Sequence, residues 1–475
     1  MESTSNSGFL ERTLSHLRLA WRDVTDNRTT LEQLNLSATL SSDDEVILRE
    51  WIDHCLADKG GEVAARARAA TLGKSYLELN PTGQQRFLSI LALHYDTNAA
   101  DVEQHIALWQ ASSDDNRAEA ARQLRKVLEP PRTKLLTLFN ELPEGIKFLV
   151  DMRAQILTLK NQHPELKPLE ADLKRLLISW FDIGLLQLEQ INWNSSAELL
   201  EKLIAYEAVH AIKSWDDLKN RLDSDRRCFA FFHPNMPNEP LIFVEVALVK
   251  GLSDNVQTLL DEAAPVGDIN HADTAIFYSI SNAQRGLAGI SFGNFLIKRV
   301  VTKLQHDFPH VKQFATLSPI PGLMRWIHQQ SPTELEQLPG GKILLSKGLL
   351  SQAPLSQTQP PHTQLQPLTL TLAQRDDSYL RAELSKLAAY YLAKAERAGG
   401  TTADSVTHFH LSNGAQIAQL NWMADTSNNG LSQSAGFMVN YLYDLPHIEE
   451  RSQAYSSEGI RHLSASIKTL LNHKP

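Results

Sequence analysis

Cysteine is almost absent from this chain. Cys55 and Cys228 are the only two in 475 residues, which supports neither a disulfide framework nor a zinc site and fits a reducing compartment. No apolar run is long enough to span a bilayer, so no membrane partner is expected. Basic residues are not in excess either: 46 Lys and Arg stand against 55 Asp and Glu, a net charge of −9. A nucleic-acid partner is therefore not expected, and an anionic ligand must be drawn in by local charge. The start of the chain lacks the apolar core of a secretory signal. Arg12, Arg18 and Arg22 are interspersed with Glu2, Glu11 and Asp23, unlike an acid-poor transit peptide. The last residues, Asn-His-Lys-Pro475, are not the peroxisomal tripeptide. These absences point to the cytoplasm.

What is present divides into two halves. From about Gly8 to Asn192 apolar residues recur at helical spacing, for example Leu138, Phe148, Leu149, Met152, Ile156 and Leu159, and period-two β-branched runs are missing. Asn80-Pro81 opens a helix, and Pro130-Pro131 punctuates the next long helical stretch. Near Trp215 the pattern changes. Cys228–His233 and Leu241–Leu248 read as strands flanking a turn-rich Pro234–Glu239, a β-hairpin signal. Val406–Leu411 and Ala415–Trp422 bracket Asn413-Gly414, which reads as a second hairpin. Phe437–Tyr443 reads as a strand, Gly459–Asn472 as a closing helix, and the nearly uncharged Leu349–Gln374 as an irregular excursion. The expected fold class is α+β: a helical bundle over residues 1–190, then a mixed α/β domain over 191–475.

The most informative stretch runs from Thr274 to Gly322. A β-rich run, Thr274–Ser281, leads to the glycine-bearing Arg285-Gly-Leu-Ala-Gly-Ile-Ser-Phe-Gly293, then to a helix and a short strand ending in Ser318-Pro-Ile-Pro-Gly322. The loop is not a Walker A, since no Gly-Lys-Ser/Thr follows. It is not the dinucleotide fingerprint either, since Gly286, Gly289 and Gly293 are spaced differently. Backbone amides from Ala288 to Asn294 turning into a helix start suit a diphosphate, while the same glycines serve equally as a tight strand-to-helix turn. On the helix Asn294–Phe308, Lys298, Arg299 and Lys303 project away from the apolar face and are candidates to meet ligand phosphates. A diphosphate held at a β-loop-α junction within a mostly antiparallel sheet resembles the GNAT acetyltransferase fold and its grip on coenzyme A.

Specific strings go further. Phe-Tyr-Ser-Ile-Ser281, Phe295-Leu-Ile-Lys-Arg-Val300, Leu317-Ser-Pro-Ile-Pro-Gly322, Phe409-His-Leu-x-Asn-Gly414, Asn421-Trp-Met-Ala-Asp425 and Asn440-Tyr441 together resemble the malonyl-CoA decarboxylase family, over about Trp193 to Lys468. The resemblance implies an N-terminal helical oligomerisation domain, with a homotetramer expected, and a GNAT-like catalytic domain. It implies conversion of malonyl-CoA to acetyl-CoA and carbon dioxide with no metal and no organic cofactor, coenzyme A being part of the substrate. The family's coenzyme-binding segment falls on Ala288, Gly289, Ile290, Ser291, Phe292, Gly293 and Asn294. Its catalytic serine falls on Ser318 and its catalytic histidine on His410. Two rivals remain: a GNAT-type acyl-CoA N-acyltransferase, and a non-enzymatic helical scaffold with a degenerate coenzyme-binding domain.

The chemistry is consistent with these residue types. Loss of carbon dioxide from a malonyl thioester leaves an enolate with its charge on the thioester oxygen, so the thioester is its own electron sink. The enzyme needs a donor at that oxygen and a proton for carbon, and a histidine near neutral pKa is the best-matched acid. Ser318 can donate to the carboxylate or thioester oxygen or hold the imidazole, its backbone fixed by Pro319 and Pro321. On a strand, His408 and His410 share one face, so periodicity does not choose between them. Asn421, Trp422, Asp425, Tyr441 and Glu245 suit a cleft or a structural role alike.

Overall fold

The computed structural model describes residues 30–57, 61–181, 183–290, 295–347, 377–397 and 399–472. It has the expected class, a helical region followed by a mixed sheet. The chain forms two compact units: Met1–Gln187 with Phe232–Leu241 and Asn282–Ile290, and Leu188–Phe231 with Ile242–Ser281 and Ser291–Pro475. The turn after one strand and the Gly loop after another thus cluster with the helices.

In the first unit the helix Pro81–His94 starts where the sequence indicates, with the Asn80 side chain accepting from the Gly83 amide at 2.9 Å. Pro131 opens the helix Pro131–Asn140. The apolar stripes of Pro131–Asn140, Gly145–Leu159 and Leu166–Trp180 bury Leu135, Phe139, Phe148, Leu149, Ile156, Leu169 and Leu173. Tyr76, Phe87, Phe139 and Phe148 interlock edge to face, with centroids 5.1 to 5.7 Å apart. The Gly loop is built into this packing. Arg153, buried on Gly145–Leu159, donates to the Gly286 carbonyl and, at 2.9 Å, to that of Ala288, while Glu170 balances its charge at 2.7 Å. The backbones approach so closely that a β-carbon on residue 286 would sit 1.8 Å from the Val150 carbonyl oxygen.

The second unit is organised by a sheet of order β1-β2-β3-β4-β5-β8-β6, with β7 also on β8. Its strands are β1 Gln187–Ile191, β2 Arg226–Phe232, β3 Ile242–Val249, β4 Thr274–Asn282, β5 Gln313–Thr316, β6 Ser318–Pro319, β7 Gln416–Asn421 and β8 Met438–Tyr443. β2 and β3 pair antiparallel as expected. β4 and β5 run parallel, joined through the helix Phe295–Asp307, because a parallel pair needs a crossover.

Two sequence expectations fail. Val406–Leu411 is not a strand: it lies in the helix Ser405–Ser412, whose first turn is capped by Asp404 Oδ1 accepting from the Val406 and Thr407 amides at 3.0 and 2.9 Å. Asn413-Gly414 is that helix's end rather than a hairpin turn. Gly414, at φ +77°, donates to the Leu411 carbonyl and Ala415 to that of His410, a Schellman motif. The closing helix is also shorter, Ala465–Asn472. The chain before it pairs with β7 instead, Ile417 N donating to His462 O and Ser464 N to Ile417 O. Leu349–Gln374 lies outside the described residues.

Gly286→Ala is expected to cost about 1–3 kcal/mol of stability, since neither backbone has room to give. Denaturant unfolding checks it, and an unchanged midpoint would show that the loop is not seated against Val150.

Candidate active site

Ser318 owes its position to a broken strand. β5 pairs with β8 through Phe314↔Tyr443 and Ala315↔Leu442, and β6 resumes the same register with Ser318↔Val439 and Pro319↔Met438. Between them side chains replace the ladder. The Thr316 hydroxyl accepts from the Tyr441 amide at 3.3 Å, the Asn440 amide group donates to the Thr316 carbonyl at 2.8 Å, and Leu317 N turns to β4, donating to Phe277 O at 3.0 Å. Ser318 emerges 7% exposed, its hydroxyl donating to Thr316 Oγ1 at 2.8 Å.

His410 lies near the C-terminal end of Ser405–Ser412, 2% exposed, with Nε2 3.1 Å from Ser318 Oγ and Nδ1 2.7 Å from the Tyr443 hydroxyl. Its ring stacks on Tyr441 at 4.3 Å, and the Tyr441 hydroxyl meets Thr407 Oγ1 at 2.7 Å. Burial pushes the His410 pKa down to about 3, so the imidazole is neutral. Burial raises Tyr443 well above the usual phenol range, so it stays protonated. A protonated Tyr443 donating to Nδ1 puts the ring proton on Nε2, aimed at Ser318, whose own proton is aimed at Thr316. The four groups then form a chain of donors running one way.

One carboxylate joins the two segments. Asp404 Oδ1 caps the histidine's helix, while Oδ2 accepts from Gly322 N, the last residue of Ser318-Pro-Ile-Pro-Gly322, at 3.2 Å and from the Tyr391 hydroxyl at 3.4 Å. Burial is the largest influence on Asp404 and raises its pKa, against the amides that favour its charge.

Ser318 and His410 are thus brought together. The acid near neutral pKa expected of the histidine is not: with no charged partner among the described residues to offset desolvation, the ring is held far below that range. The helix also separates the two histidines, since a step of two residues turns about 200°. His408 bonds the Tyr455 hydroxyl instead, at 2.8 Å. Ala288, Gly289 and Ile290 belong to the first compact unit, and Ser291, Phe292, Gly293 and Asn294 lie outside the described residues. Lys298 and Lys303 are engaged by Glu449 at 2.8 Å and Asp307 at 2.7 Å. Glu245 is fully buried and pairs with Arg221 at 3.1 Å. Asn421 is bonded to Asn440, Trp422 packs edge-on to Phe437, and Asp425 accepts from Ser427 N. Tyr443, Thr316 and Asp404 were missed by sequence reasoning. Period two along β8 from Tyr441 would have found Tyr443, and Asp404 before Ser405 is a helix-start signal. Among the described residues no group of three or more metal-ligating side chains converges.

Family models of the malonyl-CoA decarboxylase N-terminal domain match residues 95–181 and of its C-terminal domain residues 184–475. The chain is similar to "Malonyl-CoA decarboxylase, mitochondrial" of Anser anser anser, 36% identical over 361 residues, 74% of this chain and 71% of that one. The Rattus norvegicus protein of the same name is 36% identical over 376 residues, 74% of this chain and 73% of that one. The crystal structure of malonyl-CoA decarboxylase from Rhodopseudomonas palustris superposes with a TM-score of 0.79 at 37% identity, covering 90% of this chain and 99% of that one. The one from Agrobacterium vitis gives 0.76 at 36%, with the same coverage.

The neutral imidazole is directly observable. Nitrogen-15 NMR of His410, identified by its loss in a His410→Asn variant, is expected to show no protonation until the pH falls below about 5, because burial opposes the charge. A midpoint between about 6 and 7 would contradict the desolvated site.

Proposed function

The chain belongs to the malonyl-CoA decarboxylase family, and from that membership we propose how its own residues carry the reaction. It is a carboxy-lyase that converts malonyl-CoA to acetyl-CoA and carbon dioxide. Ser318 and His410 are the catalytic pair, and Ala288–Asn294 is the coenzyme-binding segment. The single observation that carries this reading is the approach of Ser318 Oγ to His410 Nε2 at 3.1 Å, with both side chains buried.

The carbon–carbon bond breaks as its electron pair enters the thioester, and carbon dioxide leaves. The growing oxyanion needs a donor close at hand, and the Ser318 hydroxyl, backed by the Nε2–H of His410, supplies one by a rotation about its own C–O bond. In the free enzyme that hydroxyl is aimed at Thr316 Oγ1, and the thioester oxygen takes the place of that acceptor. A neutral imidazole suits the task, since it polarises without stabilising the substrate carboxylate that must depart. The enolate carbon then receives one proton through the Ser318–His410 pair, and solvent replaces it, so the cycle consumes one proton. The thioester supplies the electron sink, and no organic cofactor or metal is required by this scheme.

Residues 1–190 are proposed to carry oligomerisation and 191–475 catalysis in a GNAT-like fold, with a homotetramer as the assembly. The helices Ala99–Ala111 and Asp114–Val127 support this, since neither has a buried residue and Ile106, Leu108, Trp109 and Leu128 are exposed. Both cysteines are free and buried, which fits a reducing compartment, and the cytoplasm is the proposed location. The curated relatives are mitochondrial by name, so cell fractionation is the discriminating observation.

Ser318→Ala and His410→Ala are each expected to lower acetyl-CoA release from malonyl-CoA by about a hundred- to a thousandfold, roughly 3–4 kcal/mol. Chromatographic separation of products checks it, and near-wild-type turnover in both variants would sink the pair. Light scattering after size exclusion is expected to give a tetramer; a strictly monomeric active enzyme would refute the assembly.

A further inference from the structure

The Gly loop is held in a way that gives one face to the protein and leaves another for a ligand. Leu287 to Ile290 form a type II turn: Ala288 is at φ −55°, ψ 130°, Gly289 at φ +71°, and Ile290 N donates to Leu287 O at 3.0 Å. The Ala288 carbonyl is taken by the Arg153 guanidinium at 2.9 Å. In a trans peptide the N–H points opposite to the C=O, so the Gly289 amide of the same peptide plane is directed away from Arg153.

A second cation stands at this turn. Lys174, half-buried on the helix Leu166–Trp180, has its Nζ 3.4 Å from where a β-carbon of residue 289 would sit. Its natural helical partner is Glu170 at i−4, yet Glu170 is committed to Arg153 at 2.7 Å and Lys160 at 3.3 Å. The other acid nearby on the helix, Asp172, is committed to Arg132 at 2.8 Å and Arg175 at 3.6 Å. Among the described residues no carboxylate pairs with Lys174. By contrast, the two lysines that the sequence offered for phosphates, Lys298 and Lys303, both have carboxylate partners.

We propose that Lys174, a residue of the helical region, is a binding residue for the diphosphate of the substrate's coenzyme A portion, acting with the Gly289 amide. This rests on the decarboxylase reading above and extends its coenzyme site to a side chain outside the Gly segment. An ammonium and an outward amide at a fixed turn supply a charge-assisted and a directional bond to one anion. A residue that binds a part of the substrate remote from the reacting carbon changes KM and leaves kcat alone, because ground state and transition state hold that part equally.

The test uses full-length wild type, Lys174→Ala and Lys174→Arg with three substrates. These are malonyl-CoA, malonyl-dephospho-CoA, which keeps the diphosphate but lacks the ribose phosphate, and malonyl-pantetheine, which lacks both. Lys174→Ala is expected to raise KM about tenfold for the first two, the worth of one charge-assisted bond. It should leave kcat within about twofold and KM for malonyl-pantetheine unchanged. Lys174→Arg should restore most of the affinity, and thermal midpoints should match wild type. An unchanged KM for malonyl-CoA overturns the proposal, as does an equal rise for malonyl-pantetheine or an effect that vanishes with the dephospho thioester. If wild type releases no acetyl-CoA, the decarboxylase reading fails. Calorimetric titration with free coenzyme A then still decides the lysine's role: weaker binding in Lys174→Ala upholds it, and equal binding removes it.

Discussion

The buried carboxylate of Asp404 is the constraint on which the geometry of the proposed pair depends. The serine and the histidine are 92 residues apart in sequence and come from a broken strand and a helix that share no backbone ladder. Asp404 reaches both: one oxygen fixes the start of the histidine's helix, the other fixes the amide of Gly322 at the end of the serine's loop. Hydrogen bonds to a charged acceptor are each worth about 1.5–3 kcal/mol, and five donors around one desolvated group offset much of the cost of burying it. The link continues through the Thr407 and Tyr441 hydroxyls to the ring that stacks on His410.

Burial then sets the electrostatics. His410 has tyrosines at its edge and on its face, and among the described residues no carboxylate bonds it, so burial decides and the ring stays neutral. This differs from a triad in which an acid steadies a charged imidazole. Here the tyrosine hydroxyl fixes the tautomer while adding no charge.

How much of this was legible depends on whether local signals agreed with tertiary ones. The helical first half was, because the apolar spacing through Phe148, Met152 and Ile156 is also the packing face. The β2–β3 hairpin was legible for the same reason, its turn residues and strand residues agreeing. The segment around His410 was misread because Val406, Thr407 and Phe409 favour a strand and Asn-Gly favours a hairpin turn. The Asp404 cap and the Schellman closure prevailed, both made by bonds within the segment itself, while Gly322 holds the other oxygen of Asp404. Ser318 and His410 were proposed from motif strings rather than from any pattern that physics reads in one dimension. Thr316 and Tyr443 matter only through the register of β5, β6 and β8, and no local window contains that register. Lys174 was hidden more deeply, since its neighbour at the Gly loop lies 115 positions further along the chain.

The seating of Asn282–Ile290 among the helices bears on how this polypeptide is dissected. A fragment cut at the apparent sequence boundary near residue 190 would keep every strand after the first and both members of the proposed pair, yet it would strip Arg153 from the Gly286 and Ala288 carbonyls and Val150 from Gly286. The loop would lose the template that shapes it. Modularity along the chain and modularity in space are different partitions of this molecule, and a graft or domain exchange that respects only the former would carry away a sheet with an unformed turn.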